Sequence, residues 1–278
     1  MPTHTTTTHL TIAFIGGGNM ANALIGGLIA QGQPAAQIEV VEPWDEARAR
    51  LLQSFGVTAQ AAPGAALARA DLVVWAVKPQ TFRDAAHAAA PHLPTTALHL
   101  SVAAGIPTAS IARWLGSDRI VRAMPNTPAL VQRGMTGLFA CPEVDSAGRA
   151  QVEQVIATTG QWLWVEAEAQ LDAVTALSGS GPAYVFLFLE AMEQAGIAMG
   201  LPATQARQLA VATFQGASAL AAQSHEAPEV LRQRVTSKGG TTHAAISHMQ
   251  AQGVPEHFIA AIRAAEQRAR ELAQEFGE

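Results

Sequence analysis

Four short segments of this 278-residue chain gather residues suited to binding anions and dinucleotides. Gly16-Gly17-Gly18-Asn19-Met20-Ala21 has the spacing Gly-x-Gly-x-x-Ala. There Gly16 permits a tight turn, Gly18 lets backbone approach a pyrophosphate, and Ala21 allows a helix to sit close to a sheet. Ala76-Val77-Lys78-Pro79 carries one of only two lysines, and Met124-Pro125-Asn126-Thr127-Pro128 carries one of only three asparagines, in a turn stiffened by two prolines. A rigid turn bearing an amide and a hydroxyl suits the holding of a nicotinamide. Thr236-Ser237-Lys238-Gly239-Gly240-Thr241-Thr242 combines hydroxyls, glycines and the start of a helix. That combination is a cradle for an anion, because uncapped N–H groups and the helix dipole both favour negative charge.

These segments need elements to position them. Residues 10–125 alternate short apolar runs with Ala-rich helical stretches, the pattern of a parallel sheet covered by helices. Strands are expected over 10–16, 38–43, 71–77, 97–103 and 119–125. The glycine turn then follows the first strand, Lys78 the third and Ser101 the fourth, all at the carboxyl edge where open α/β sheets take ligands. Glu42 ends the second strand, where a carboxylate would accept from the adenosine ribose of NADH and repel the 2′-phosphate of NADPH. Arg48 and Arg50 follow it, so NADPH or NADH is expected without a choice between them. From about residue 170 the β-pattern stops and helices take over, the first broken at Gly179–Pro182. The reading is an α/β fold: a flexible leader over 1–9, a Rossmann-type dinucleotide-binding domain over 10–168, and an all-helical dimerisation and substrate domain over 169–278. The helical stretch is too apolar for one chain to cover, which predicts a homodimer.

Composition narrows the function. The net charge of −5 offers no basic field for nucleic acid. Cys141 is the only cysteine, which excludes an intramolecular disulfide and suits a cytoplasmic setting. The apolar stretch 183–201 carries Glu190 and Glu193 and reads as a packed helix, so no membrane partner is expected. The nine histidines form no metal-ligand spacing, and no metal is expected.

GGGNMA, AVKP, SVAAGI, RAMPNTPA, DAVTALSGSGPAYVFLFLEA and VTSKGGTT, in this order and spacing, resemble the pyrroline-5-carboxylate reductases over residues 10–275. The resemblance implies reduction of the cyclic imine 1-pyrroline-5-carboxylate to L-proline with NAD(P)H, the last step of proline biosynthesis. It implies a homodimer through the helical domain, with dimers in several members stacked into a decamer. By motif, Ile15, Gly16, Gly17, Gly18, Asn19 and Met20 would line the cofactor together with Ala76, Val77, Lys78 and Pro79. Asn126, Thr127 and Pro128 would lie near the nicotinamide. Ser237, Gly240 and Thr241, in a loop with Gly239, would hold the substrate carboxylate, and Thr242 would hydrogen-bond the ring nitrogen as the catalytic contact. Many members carry proline where this chain has Lys238, and an asparagine near the ribose where it has Ala62-Pro63.

The residues agree with an imine on chemical grounds. Reducing a ketone leaves an alkoxide that needs a positioned acid. A cyclic imine can enter already protonated, and the hydride then leaves a neutral amine. A cradle of Ser and Thr, with no His–carboxylate pair, suits positioning, which can contribute up to ~7–11 kcal/mol. A β-hydroxyacid dehydrogenase would instead need a catalytic lysine on a helix of the second domain. A silent dinucleotide-binding regulator would not need the 236–242 cradle.

Overall fold

In a computed structural model, residues 10–277 are described; the expected leader over 1–9 lies outside them. The strands are β1 (Ile12–Ile15), β2 (Ile38–Val41), β3 (Ala59–Gln60), β4 (Leu72–Trp75), β5 (Leu98–Ser101), β6 (Ile120–Met124), β7 (Gly134–Ala140) and β8 (Gly160–Trp164). The helices beside them are α1 (Asn19–Ala30), α2 (Asp45–Phe55), α3 (Pro79–Ala89), α4 (Thr108–Leu115) and α5 (Ser146–Ala157). Together the strands make one sheet in the order β3-β2-β1-β4-β5-β6-β7-β8.

Central strands β1, β4 and β5 are buried at every position, which explains their unbroken apolar runs. Side chains alternate between two cores because successive residues of a strand point to opposite faces. Ile12, Phe14, Leu72, Val74, Leu98 and Leu100 pack on the side of Leu24, Ile25 and Leu28 from α1. Ala13, Ile15, Val73 and Trp75 pack on the side of Phe82 from α3 and Ile111 from α4. Pairing is parallel from β3 to β6. The expected parallel sheet is broken once: β7 runs antiparallel to β6, with Val121 opposite Ala140, and β8 then pairs parallel to β7.

The helical part begins with α6 (Gln170–Val174) and runs through a π-helical turn, Thr175–Gly179, into α7 (Gly181–Ala198). A break at Gly179–Pro182 was the expectation. The structure has a wider turn instead, with the Ser180 N–H donating to the Thr175 carbonyl at 2.8 Å, five residues back. Pro182 then falls in the first turn of α7, where its missing N–H has no partner to lose. Helices α8 (Ala203–Gln223), α9 (Pro228–Arg234), α10 (Thr241–Ala251) and α11 (Val254–Phe276) follow.

The chain divides into two compact units, one ending at Ser180 and resuming at Ala265, the other covering Gly181–Ala264. The division thus falls later than residue 168. In the first unit the Glu168 carboxylate accepts from the Thr108 N–H (2.8 Å) and hydroxyl (2.7 Å) at the start of α4. It also pairs with Arg122 of β6 at 2.9 Å. Residues 166–180 are thereby held to the sheet, and α11 contributes its C-terminal half to the same unit. In the second unit α7 packs along α8, with Gly196 so close to Ala206 that an added Cβ would meet its methyl at 2.8 Å. Phe258 of α11 meets the rings of Tyr184 and Phe188 edge-on. Phe186, Leu187, Met192, Leu209 and Leu220 remain exposed on the single chain.

Candidate functional site

The parallel strands end in register, Ile15 beside Val41 and Trp75, and Trp75 beside Ser101. The segments after them therefore share one edge of the sheet. At its centre the glycine turn leaves β1 and enters α1. Gly16 has φ +101°, and a Cβ there would lie 2.6 Å from the Ala76 carbonyl oxygen, so the turn is pressed against the β4 exit and admits no side chain. Gly18 is the N-cap of α1, and an added Cβ there would find open space. No side chain caps this helix and no acidic residue occupies its first turn. Open backbone and uncapped N–H groups at a helix start are what a pyrophosphate requires, so the residues present fit a dinucleotide.

Glu42 is directed inward. Its carboxylate is buried, accepting from the Gly17 N–H at 2.7 Å and the Trp44 N–H at 2.9 Å. The expected ribose acceptor is thus also a strap that fixes the glycine turn and the start of α2. Arg48 is committed to the same corner: it donates to the Glu42 and Pro43 carbonyls at 2.9 and 2.7 Å and pairs with Asp45. Beside them, Gly17, Gly18, Glu42, Trp44 and Arg50 line a cleft of about 620 Å³.

The other segments expected around a cofactor are divided. Ile15 is buried strand, while Asn19, Met20, Ala76 and Val77 border the glycine turn and the β4 exit. Lys78 is exposed at the N-cap of α3, with Pro79 in its first turn. Thr127 is exposed and Pro128 half-buried beyond β6. Ser101 requires a correction: it is fully buried, and its hydroxyl accepts from the Ala103 N–H at 3.3 Å, so it offers no surface to a ligand. Asn126 has scaffold contacts of its own. Its amide donates to the Ser178 carbonyl at 3.0 Å, and its oxygen accepts from the Met135 N–H at 2.9 Å. It braces the π-turn against β7.

Two other titratable groups of this unit lie away from that edge or are closed to chemistry. His99 in β5 is buried, accepts from the Trp75 indole N–H at 3.3 Å, and is lowered to about 4 by burial and by the nearby Arg119 guanidinium. It is a neutral core residue. Burial pushes the Cys141 thiol up, which keeps it protonated and a poor nucleophile.

In the second unit the 236–242 segment forms a tight turn that leads into α10. Gly239 takes φ +77°, and Gly240 becomes the N-cap of α10 with its N–H on the Ser237 carbonyl at 3.0 Å. The Ser237 hydroxyl lies over Gly240, 2.8 Å from where a Cβ would sit. Like α1, helix α10 has no side-chain cap and no acid in its first turn, which holds Thr241 and Thr242. Ser237, Lys238 and Thr241 are exposed and Thr242 half-buried. Lys238 stands in the loop, not on a helix, which leaves the β-hydroxyacid dehydrogenase reading without its lysine. Among the described residues no cluster of side chains could hold a metal ion, and no helix is long and apolar enough to cross a membrane.

Residues 168–272 match the family model "Pyrroline-5-carboxylate reductase dimerisation", and residues 11–105 match "NADP oxidoreductase coenzyme F420-dependent". The chain is 48% identical over 268 residues to the pyrroline-5-carboxylate reductase of Pseudomonas aeruginosa, covering 96% of this chain and 98% of that one. The chain belongs to the pyrroline-5-carboxylate reductase family. The family's Haemophilus influenzae member is 41% identical over 95% of this chain and 98% of its own. A solved pyrroline-5-carboxylate reductase from Coxiella burnetii superimposes with a TM-score of 0.90 at 39% identity, covering 96% of this chain and 99% of that one.

For a member of this family, the structure adds residues that the sequence reading passed over. Asn22, which looks like an ordinary residue of the first helix, donates its amide to the Gly17 and Gly18 carbonyls at 2.7 and 2.8 Å and pins the glycine turn from the helix side. Its rarity was the available signal, since the chain has only three asparagines. Gly179 also has a tertiary role: a Cβ there would meet the Met124 methyl at 2.6 Å.

Proposed function

We propose that this protein reduces 1-pyrroline-5-carboxylate to L-proline at the expense of NADPH or NADH. The near-full-length match to the Pseudomonas aeruginosa reductase carries this reading. The uncapped, acid-free N-termini of α1 and α10, each opening from a glycine turn, support it, one for each anionic partner of such a reaction. The α1 terminus, with Gly16, Gly17, Gly18, Asn19 and Met20, would hold the cofactor pyrophosphate. Ala76, Val77, Lys78, Pro79, Thr127 and Pro128 would border it along the sheet edge. The α10 terminus, with Ser237, Gly239, Gly240 and Thr241, would hold the substrate carboxylate.

When bound, the nicotinamide supplies the hydride. The protein's part is placement. Thr242 would hydrogen-bond the ring nitrogen while the Ser237–Thr241 cradle fixes the carboxylate, so that the C=N carbon is presented in one orientation. Protonated imine and hydride sum to the neutral amine of proline, and no oxyanion has to be stabilised. The cradle's lack of a His–carboxylate pair suits this balance.

The exposed apolar side chains of α7 and α8 support a homodimer built through the helical unit, as does the dimerisation model matched there. Assembly of such dimers into a decamer is the finer expectation, read by solution mass. A cytoplasmic setting suits a single, protonated cysteine. The test is loss of reduced-nicotinamide absorbance on adding 1-pyrroline-5-carboxylate, with proline identified as product. Protein that binds NADPH but leaves it unoxidised with this substrate would refute the proposal.

A further inference from the structure

We infer that Lys238 is a specificity residue for the reaction, its ammonium drawing the substrate carboxylate to the turn that opens α10. The inference rests on the imine reduction proposed above and gives a role to a residue that the family resemblance leaves without one. Residues 237–240 form a turn closed by the Gly240 N–H on the Ser237 carbonyl at 3.0 Å. Gly239, its third residue, takes φ +77°, the left-handed value that a type II turn requires there. The second position of such a turn suits proline, whose ring presets the backbone and restricts the unfolded chain. Lys238 occupies that position instead. Lysine does nothing for the turn that proline would not do better. What it adds is a charge, from one of only two lysines in the chain.

That charge stands among others of its own sign. Residues 230–255 hold Arg232, Arg234 and Lys238 and no Asp or Glu, in a chain whose net charge is −5. Arg234 is taken by Glu226 at 2.6 Å. Arg232 and Lys238 are exposed, and their side chains make no ion pair or hydrogen bond among the described residues. Arg232 lies one helical turn before the loop, its carbonyl accepting from the Thr236 hydroxyl at 2.6 Å. Two unspent cations beside the uncapped start of α10 raise the local concentration of an anion without touching the reacting bond. A charge so placed acts on capture, and its effect belongs to KM more than to kcat. Arg232 adds to the field, while Lys238 stands on the turn itself.

Steady-state kinetics of the intact enzyme with saturating NADPH, at about 20 mM and at about 1 M salt, test this. Lys238→Gln is expected to raise KM for 1-pyrroline-5-carboxylate about fivefold at low salt, with kcat within about twofold of the parent. The difference should vanish near 1 M salt, where charges are screened beyond about 3 Å. Lys238→Arg should keep the parent's KM, and Lys238→Pro should match Lys238→Gln, because the charge and not the turn is what is lost. KM for NADPH should stay as in the parent in every variant. A parent-like KM at low salt in Lys238→Gln, or in Lys238→Pro alone, overturns the assignment, and so does a fall in kcat as large as the rise in KM. Enzyme that reduces the imine but gives one of these results loses only the role of Lys238. Protein that leaves the imine unreduced removes the reaction and this role together.

Discussion

Adding one methyl at Gly16 or at Gly18 should separate folding from binding. At Gly16 the methyl meets the Ala76 carbonyl oxygen at 2.6 Å, its carbon at 2.9 Å, and a backbone with φ +101° that L-residues avoid. Strain of that kind costs about 1–3 kcal/mol, and overpacking against backbone about as much again. Gly16→Ala should therefore lose roughly 2–6 kcal/mol out of the ~5–15 that stabilise a typical protein. Gly18 has φ −74°, an extended conformation open to any residue, and its methyl would touch nothing. Replacing glycine by alanine at an N-cap costs at most about 1 kcal/mol. The same methyl, however, stands where the α1 N–H groups would meet a phosphate. Losing one charge-assisted bond of about 1.5–3 kcal/mol weakens binding roughly ten- to a hundredfold. Urea denaturation without ligand, and ADP titration by calorimetry, give the two readouts. If Gly18→Ala binds ADP like the parent, or loses more than about 3 kcal/mol of stability, the phosphate is not where we place it.

His99, lowered from 6.5 to about 4 by burial and Arg119, takes its proton in the unfolded chain first. Its contribution to stability is complete above pH 6.5 and declines as pH falls towards about 4, by roughly 3 kcal/mol. Denaturation midpoints across that window should fall more steeply for the parent than for His99→Gln; parallel profiles would contradict the assignment. Asn126→Ala strands the Ser178 carbonyl and the Met135 N–H and should cost about 2 kcal/mol, with unchanged urea stability refuting the brace. Thr242→Ala should lower kcat/KM for the imine roughly ten- to a hundredfold while ADP affinity stays as in the parent. A matching loss of ADP affinity would move Thr242 out of the substrate cradle.

Much of the nucleotide-binding unit was legible because local sequence and tertiary role coincide there. The unbroken apolar runs at 12–15 and 72–75 are strands covered on both faces, and Gly16 is required by a positive φ that sequence can anticipate. The turn at 236–242 is local in the same way, its glycines and hydroxyls lying within seven consecutive residues before α10. What stayed hidden depends on partners far along the chain. The bond from Gly17 to Glu42 spans 25 residues, and that from Asn126 to Ser178 spans 52. Both give a residue expected beside a ligand a scaffold contact as well. Ser101 was misjudged because position along a strand edge does not say which way a side chain points. The antiparallel entry of β7 was equally invisible, since nothing in its seven residues, Gly134 to Ala140, marks the direction in which the strand runs.

The C-terminal half of α11 belongs with the nucleotide-binding unit, where Gly105 turns at φ +75° against Leu272 and the Gly277 carbonyl accepts from Ser110 and from Arg113 at 2.8 Å. This has a consequence for how the molecule is made. Ser110 and Gly277 are 167 positions apart, so the ribosome must release the entire helical unit before this contact can close. A nascent chain that has finished its last sheet strand still lacks a piece of its first unit, and loop closure over that distance is slow. Vectorial synthesis therefore delivers the segment that completes the earlier unit only after the helical one, and shortening the chain at residue 264 should leave the cofactor unit without that closing contact.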